Sequence, residues 1–501
     1  MEVVLTADET LMSNHHGKEF LGFGTSAPPN WLPEWLFRYL FFPRIKSIDG
    51  FPWQAPYGLR KIEAKLIDAG MDAGVVYPED IANHDAKVLG IYVMDPFGWG
   101  PSSTTFAGIM KTGMPYNAKY FEMLFKSKAY KKFKEYGGRT IVGGPGVWQF
   151  KYNMEFAKRY KIDCIFDGEA EKDVVELFQK ALDGEELPRY IEKAPKDAPS
   201  LDEIPEIKKP SVNGLVEIGR GCPRGCKFCS VTLRPLRWYP YEKIERELMI
   251  NKKYGVNGTI LHAEDVMLYG SKSVIPSEEK VLKVNELAKK IMDTVAWSHA
   301  SFAAVATKPK IIEKVAEIII DEKQSWWGAE MGIETGSPEL VKKAMPAKAK
   351  PFKPEEYPEI VKQAAGVMTD ANMVPACTLI VGLPEETDDD VIKTIELMDD
   401  LKDFKSLIVP LFFVPMGKLK DRDWFKEHEM NELHRELLIK CLRHDIKWAK
   451  IIANEYFQEK KSQLLLKPLY HLFIKIIEWQ GKKKGVIEER KVFEMPYTVG
   501  K

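Results

Sequence analysis

The sequence predicts an α/β protein built from more than one unit. Three observations carry that prediction: alternating short apolar runs and helical patterns over the first 190 residues, six further strand-and-helix repeats after a Pro-rich break, and a helical pattern from about Asp421 onward. At 501 residues the chain also exceeds one ordinary core, since domains usually run about 100 to 200 residues.

The leading apolar runs are EVVLTA, AGVVYP, KVLGIYVM, GGRTIVGG and DCIFDG, with helical patterns at YGLRKIEAKLIDAG and from Glu171 to Leu182. Strands alternating with helices build a parallel sheet, because a parallel pair needs a crossover long enough to hold a helix. Residues 1–190 therefore form a first unit. Its strand ends fall at Thr6 to Asp8, Asp95 to Gly100, Gly143 to Gly146 and Asp167 to Glu169, where open sheets of this kind take their ligands. The aromatic, Pro-rich stretch Leu11 to Pro56 between the first strand and first helix reads as a lid or interaction surface.

Residues 191–210 are Pro-rich and charged and read as a linker. A second unit is expected at 211–420, with strands at GLVEIGR, GTILHAED, WSHASFAAV, WWGAEMGIE, PACTLIVGL and SLIVPLFFV. Six strands at this spacing predict a barrel or part of one, with catalytic groups at the carboxyl ends. Residues 421–501 read as helical, and the basic-flanked apolar segment Leu464 to Trp479 reads as core packing before it reads as lipid contact.

Lys plus Arg equals Asp plus Glu at 73 each, so there is no global basic field and nucleic acid is not expected as a partner. Six cysteines, three of them clustered, do not resemble a disulfide framework and point to a reducing, cytoplasmic setting. No run approaches the roughly 20 apolar residues that span a bilayer, so no transmembrane segment is expected.

After the first strand of the second unit stands Gly221-Cys222-Pro223-Arg224-Gly225-Cys226-Lys227-Phe228-Cys229. Three thiolates on one loop can converge on a metal centre, and the glycines let the backbone wrap it. A closed zinc site or a protein-saturated iron-sulfur cluster takes four ligands, so either would recruit a distant residue such as Cys377 or His262. A Cys-rich structural zinc turn is the alternative at this point.

Further along stand Ala263-Glu264-Asp265, Gly332-Ile333-Glu334-Thr335-Gly336-Ser337, Gly382-Leu383-Pro384-Glu385-Glu386-Thr387 and Pro415-Met416-Gly417, each at a predicted strand end. In order and spacing, these motifs resemble those of the radical S-adenosylmethionine (SAM) superfamily. The resemblance implies a [4Fe-4S] cluster on Cys222, Cys226 and Cys229 whose fourth iron is left free for SAM, and a low-potential electron donor of ferredoxin or flavodoxin type. It also assigns Phe228, Glu264, Asp265, Gly332, Glu334, Ser337 and Gly382 to SAM binding.

With its βαβ leading unit, carrying VGGPG and DGEAE at strand ends, the chain looks like the cobalamin-dependent class of that superfamily. That class implies a Rossmann-like cobalamin-binding domain, a partial (β/α)6 TIM barrel and a helical C-terminal extension. Thr6, Asp95, Gly143, Gly144, Pro145, Gly168 and Glu169 would then lie beside the cofactor. The sequence lacks a DxHxxG motif, and His15 and His16 stand in a different context, so base-off cobalamin with no protein His on cobalt is expected. Asp95 has a second reading, as a cap on the following turn.

The implied activity is methylation of an unactivated sp3 carbon, with one SAM methylating the cobalt and another yielding a 5'-deoxyadenosyl radical. VLTADETLMSNHHGKEFLGFG and YVMDPFGWGPSSTTF look like archaeal members of the class, pointing to a protein or peptide substrate, a glutamine of methyl-coenzyme M reductase. The alternatives are an archaeal membrane-lipid enzyme that forms rings or bonds in tetraether chains, and a non-catalytic cobalamin-binding sensor or carrier.

Overall fold

The computed structural model describes residues 1–29, 32–456 and 466–483. Trp31, and Leu464 and Leu465 at the start of the late apolar segment, lie outside the described residues. The first strand, Val3–Ala7, is buried along its whole length, as a strand covered on both faces must be. It pairs in parallel with Ala73–Val75 on one side and Val88–Tyr92 on the other. The sheet then continues through Arg139–Gly143 and Cys164–Asp167 to Tyr190–Glu192. Its order reverses between Val3–Ala7 and Val88–Tyr92, and a crevice for ligands opens at such a switch point. Helices Tyr57–Asp68 and Val174–Leu182 cover one face with Leu59, Leu66, Leu177 and Phe178. Helices Tyr116–Lys126 and Lys128–Glu135 cover the other with Phe121, Phe125 and Phe133. The last strand of this sheet runs into the segment read as linker, so the start of that segment is structured.

The second unit is a partial (β/α)6 barrel. Its parallel strands are Leu215–Glu217, Gly258–His262, Thr294–Trp297 continued by His299–Ala300, Glu330–Glu334, Ala376–Val381 and Leu407–Phe412. The two halves join where Trp297 N donates to Gly328 O at 3.1 Å and Glu330 N donates to Ser298 O at 2.8 Å. One expectation needs correcting: WSHASFAAV is not a single strand, because Phe302–Thr307 is a helix. Ser301 leaves the strand in an extended conformation, and the alanines that follow favour helix over sheet.

Helices Glu432–Tyr456 and Leu466–Lys483 follow the barrel. Leu466 and Tyr470 pack into a cluster with Phe37, Leu40, Phe41 and Phe42 of the lid stretch, so the late apolar stripe is committed to packing. Among the described residues no helix is long and apolar enough to cross a membrane.

Candidate active site

The cysteine loop leaves the first barrel strand through Gly221, whose φ of +84° and 2.6 Å approach of a would-be Cβ to Pro235 O exclude any side chain. The loop is then stitched to the other predicted motifs. Lys227 N donates to Ala344 O at 2.9 Å, and Lys418 N donates to Lys227 O at 2.7 Å. A Cβ on Gly417 would lie 2.7 Å from Cys229 O, so glycine there lets the Pro415-Met416-Gly417 turn close on the loop. Cys226 is buried and Cys222 and Cys229 are half-buried, all three as free thiols. Burial pushes the Cys222 thiol up to about 12 and raises Cys226 and Cys229 as well. Metal ligation would reverse that direction, since it is the thiolate that binds metal.

Among the described residues no three His, Cys, Asp or Glu side chains converge as they would around a single ion. A tetrahedral zinc needs every sulfur about 2.3 Å from one point, whereas a cubic cluster takes its thiolates at separate corners. With three local thiols the donor set is one short of a closed zinc site and suits a cluster whose fourth position is left open. Among the described residues neither distant candidate forms a metal-holding group with the cysteines; Cys377 is buried in the barrel core, and His262 stacks edge-on to His299 with ring centroids 5.8 Å apart.

Two ion pairs flank the loop. Asp265 Oδ2 accepts from Arg224 Nε at 3.2 Å and from Ser301 Oγ at 2.5 Å. Arg224 Nη1 donates to the carbonyls of Ala347, Lys348 and Lys350. Asp265 Oδ1 and Arg224 Nη2 are buried with no hydrogen-bond partner, which leaves a donor and an acceptor beside the cysteines for a polar ligand to satisfy. The second pair is Glu334 and Lys348, whose Oε1 and Nζ lie 2.9 Å apart, with Thr378 Oγ1 donating to Glu334 Oε2 at 3.1 Å. A Cβ on Gly332 would be 1.8 Å from Glu334 Oε1, so this glycine makes room for the carboxylate. Burial alone would lower Lys348, but the facing Glu334 carboxylate holds it raised. Sequence reasoning missed Lys348, which carries no motif signal of its own.

The other predicted SAM residues divide. Glu264 faces the central cavity. Phe228 packs against the cluster of Leu340, Leu383 and Phe413. Ser337 Oγ donates to Asp390 Oδ1 and accepts from Leu340 N as the cap of helix Pro338–Ala344, so its hydroxyl is already committed. The place of a side chain on Gly382 is filled by the Phe425 ring.

In the leading unit, Asp95, Gly143, Gly144, Pro145, Gly168 and Glu169 line one cavity of about 2570 Å³. Thr6 is fully buried and donates to Val76 O at 2.8 Å, and Asp8 and Thr10 take its place on the wall. Burial pushes Asp8 up to about 6 against the hydrogen bonds it accepts from Thr10. Gly143 is open, with the nearest atom 3.9 Å from a would-be Cβ, while Gly144, at φ +113°, lets its strand end approach Val93. Asp95 takes the capping arrangement, accepting from Trp99 N at 2.8 Å and Gly100 N at 2.9 Å. Glu169 is ion-paired with Arg220 and Arg237. His15 Nδ1 and His16 Nε2 each lie 2.6 Å from a lid carbonyl, of Phe41 and Tyr39. The same cavity reaches Ser230, Arg234, Glu264 and Gly417 around the cysteine loop, and His299 with Glu330 inside the barrel. Burial would depress His299, but the Glu330 carboxylate lifts it to about 9.

Residues 216–398 match the Radical SAM superfamily. This radical SAM domain runs from the first barrel strand to the helix after the fifth and includes all three clustered cysteines. Curated relatives include the tRNA-2-methylthio-N(6)-dimethylallyladenosine synthase of Sulfurihydrogenibium sp., 21% identical over 66% of this chain and 76% of that one. Those of Petrotoga mobilis and Orientia tsutsugamushi are 23% and 24% identical over 54% and 41% of this chain. The chain spans only 59% and 44% of the length of these two. Among solved structures, the radical SAM methyltransferase TsrM from Kitasatospora setae, with tryptophan substrate and a SAM analog bound, superposes with a TM-score of 0.54. It is 11% identical, over 81% of this chain and 73% of that one. The same enzyme with cobalamin and a [4Fe-4S] cluster bound gives 0.53, at 12% identity over 83% and 77%. At such identities the likeness is one of fold, and it extends across the leading sheet as well as the radical SAM domain.

Proposed function

We propose that the chain is a cobalamin-dependent radical SAM C-methyltransferase acting on an unactivated sp3 carbon. The observation that carries this reading is a cavity of about 2570 Å³ that is lined by the sheet crevice and also by Ser230 and Gly417, the neighbours of Cys229. Pockets for one ligand hold about 300 to 1,000 Å³, so this one has room for a macrocycle, a nucleoside and a substrate side by side. The fold shared with TsrM supports the same reading. When bound, SAM at the cluster would supply a 5'-deoxyadenosyl radical and cobalamin a transferable methyl group.

The chain's own residues supply binding and geometry. Cys222, Cys226 and Cys229 hold the cluster. The unpartnered atoms of Arg224 and Asp265 would offer a donor and an acceptor to the polar end of SAM, and Lys348, paired with Glu334, adjoins them through the hydrogen bond its carbonyl accepts from Arg224. Gly143, Pro145 and Gly168 line the crevice and would stand beside the corrin, and Phe20 and Phe23 of the lid add apolar wall to the same cavity. His15 and His16 are already tied to backbone carbonyls of the lid, so these two imidazoles would not be the residues that hold cobalamin.

The setting is cytoplasmic, with a ferredoxin- or flavodoxin-type donor, and the specific substrate is a protein glutamine of methyl-coenzyme M reductase. A formal net charge of zero gives no global basic field of the kind that would attract the tRNA named by the sequence relatives. One observation favours a second reading, an archaeal membrane-lipid enzyme: the cavity continues between the C-terminal helices along Leu442, Ile452, Phe473, Ile474 and Ile477, walls that suit a hydrocarbon chain.

Anaerobic reconstitution should give about one four-iron cluster and about one cobalamin per chain. Cys226→Ala should abolish deoxyadenosine formation while cobalamin still binds. Iron that never binds, or a variant that still cleaves SAM, sinks the reading. A glutamine-containing reductase peptide should gain a methyl mass; modification of a lipid extract instead establishes the second reading.

A further inference from the structure

Arg220 stands two residues before Cys222, on a short antiparallel hairpin in which Gly219–Arg220 faces Arg237–Trp238. Arg220 and Arg237 are direct cross-strand partners. Like charges set opposite each other repel, so this hairpin needs anions beside it. Two of them come from the other unit, where Glu169 and Glu171 sit on the turn after Cys164–Asp167. Arg220 Nη1 donates to Glu169 Oε2 at 2.7 Å, and its Nη2 lies 2.6 Å from Glu171 Oε1. Its Nε donates to Glu217 Oε1 at 2.8 Å, and Arg237 Nη2 donates to Glu169 Oε1 at 2.7 Å. All five side chains are only 6 to 11% exposed. At that depth a charge stripped of its partner is costly, so the hairpin and the sheet turn require each other.

We propose that Arg220 is a positioning residue for the cysteine loop, held in register by Glu169 and Glu171 of the leading sheet. The loop departs at once through Gly221, whose backbone is closed in by Pro235 O, so the direction of Cys222 follows from where Arg220 is pinned. On the sheet side, Gly168 and Glu169 are themselves part of the crevice wall. The clamp therefore ties the crevice to the first cysteine by a short, buried path that bypasses the linker. Its importance for catalysis rests on the cluster reading above, whereas its bonds need no cofactor.

Hydrogen exchange on the full chain, reconstituted anaerobically with iron and sulfide, tests this. Glu169→Gln and Glu171→Gln, both remote in sequence from the loop, should speed exchange across residues 219–229 about tenfold, while strands Val3–Ala7 and Gly258–His262 keep their protection. The electron paramagnetic resonance of the reduced cluster with SAM should broaden in the same variants. Arg220→Lys keeps the charge but loses the planar fork, and should fall between parent and Glu169→Gln. Parent-like exchange and spectrum in all three variants overturn the proposal. If Glu169→Gln does not fold, Arg220→Lys decides alone, a parent-like loop counting against the clamp. A parent protein that takes up no iron refutes the cluster reading instead, and exchange in 219–229 still judges the clamp.

Discussion

Lys348 and Glu334 form a nearly buried pair, at 11% and 9% side-chain exposure, so their value is read best by removing one partner. Lys348→Met keeps the length of the stem and leaves the Glu334 carboxylate with only Thr378. Unfolding in urea should show a loss of about 3 to 5 kcal/mol; a loss under about 1 kcal/mol would mean that water reaches the carboxylate. Glu217 gives a prediction in pH. Burial pushes its carboxyl up, but the Arg220 guanidinium 2.8 Å away more than reverses this and holds it at about 2, against 4.5 when free. The folded value is the lower one, so the contribution is complete above about pH 4.5 and disappears as pH falls toward 2. The shift corresponds to about 3 kcal/mol. Glu217→Gln should be the less stable protein at pH 7 yet lose less stability than the parent between pH 7 and pH 3, and parallel losses would refute the assignment.

The elements show where a sequence can be read and where it cannot. Uninterrupted apolar runs such as VVLTA marked the sheet strands because both faces are covered, and the cysteine spacing marked its loop because those residues are neighbours in the chain. Phe302–Thr307 was misread because its apolar run continues that of the strand before it, and only length and the alanines separate the two. The partners of Glu169 and Glu334 were invisible for a different reason. Arg220 lies 51 residues from Glu169, and Lys348 lies 14 from Glu334 on a loop without periodicity. The lid belongs to the same class: its aromatic composition was plain, its partner helix was not. Phe41 meets Phe37, Tyr470 and Phe473 with ring centroids 4.5, 5.9 and 5.1 Å away. Phe41→Ala should therefore cost about 3 to 5 kcal/mol. Hydrogen exchange should locate that cost in Glu34–Phe41 and Leu466–Lys483, and loosening spread evenly over the barrel would show that the lid is no separate unit.

At the scale of the whole molecule, chemistry in a shared cavity requires that the seam between sheet and barrel be closed to water. Part of that seam is closed by Trp424, which follows the barrel and meets Trp99, Trp148 and Tyr152 of the leading unit at centroid distances of 6.5, 5.9 and 6.1 Å. Trp148 and Tyr152 are also cavity wall. The next residue, Phe425, reaches the opposite way and fills the space over Gly382 at the end of the fifth barrel strand. One dipeptide thus holds both units at the rim. Trp424→Ala removes the sheet-side contact and leaves the barrel side intact, so the fold should survive while the rim loosens. Acrylamide should then quench the remaining tryptophans more efficiently, because Trp148 becomes accessible. On the proposed radical chemistry, deoxyadenosine released without product should rise several-fold relative to product in the reconstituted protein, since a radical formed in a leaking cavity is lost to side reactions. Parent-like quenching would place the water barrier elsewhere, at the lid. Increased quenching with unchanged coupling would separate closure of the rim from protection of the radical.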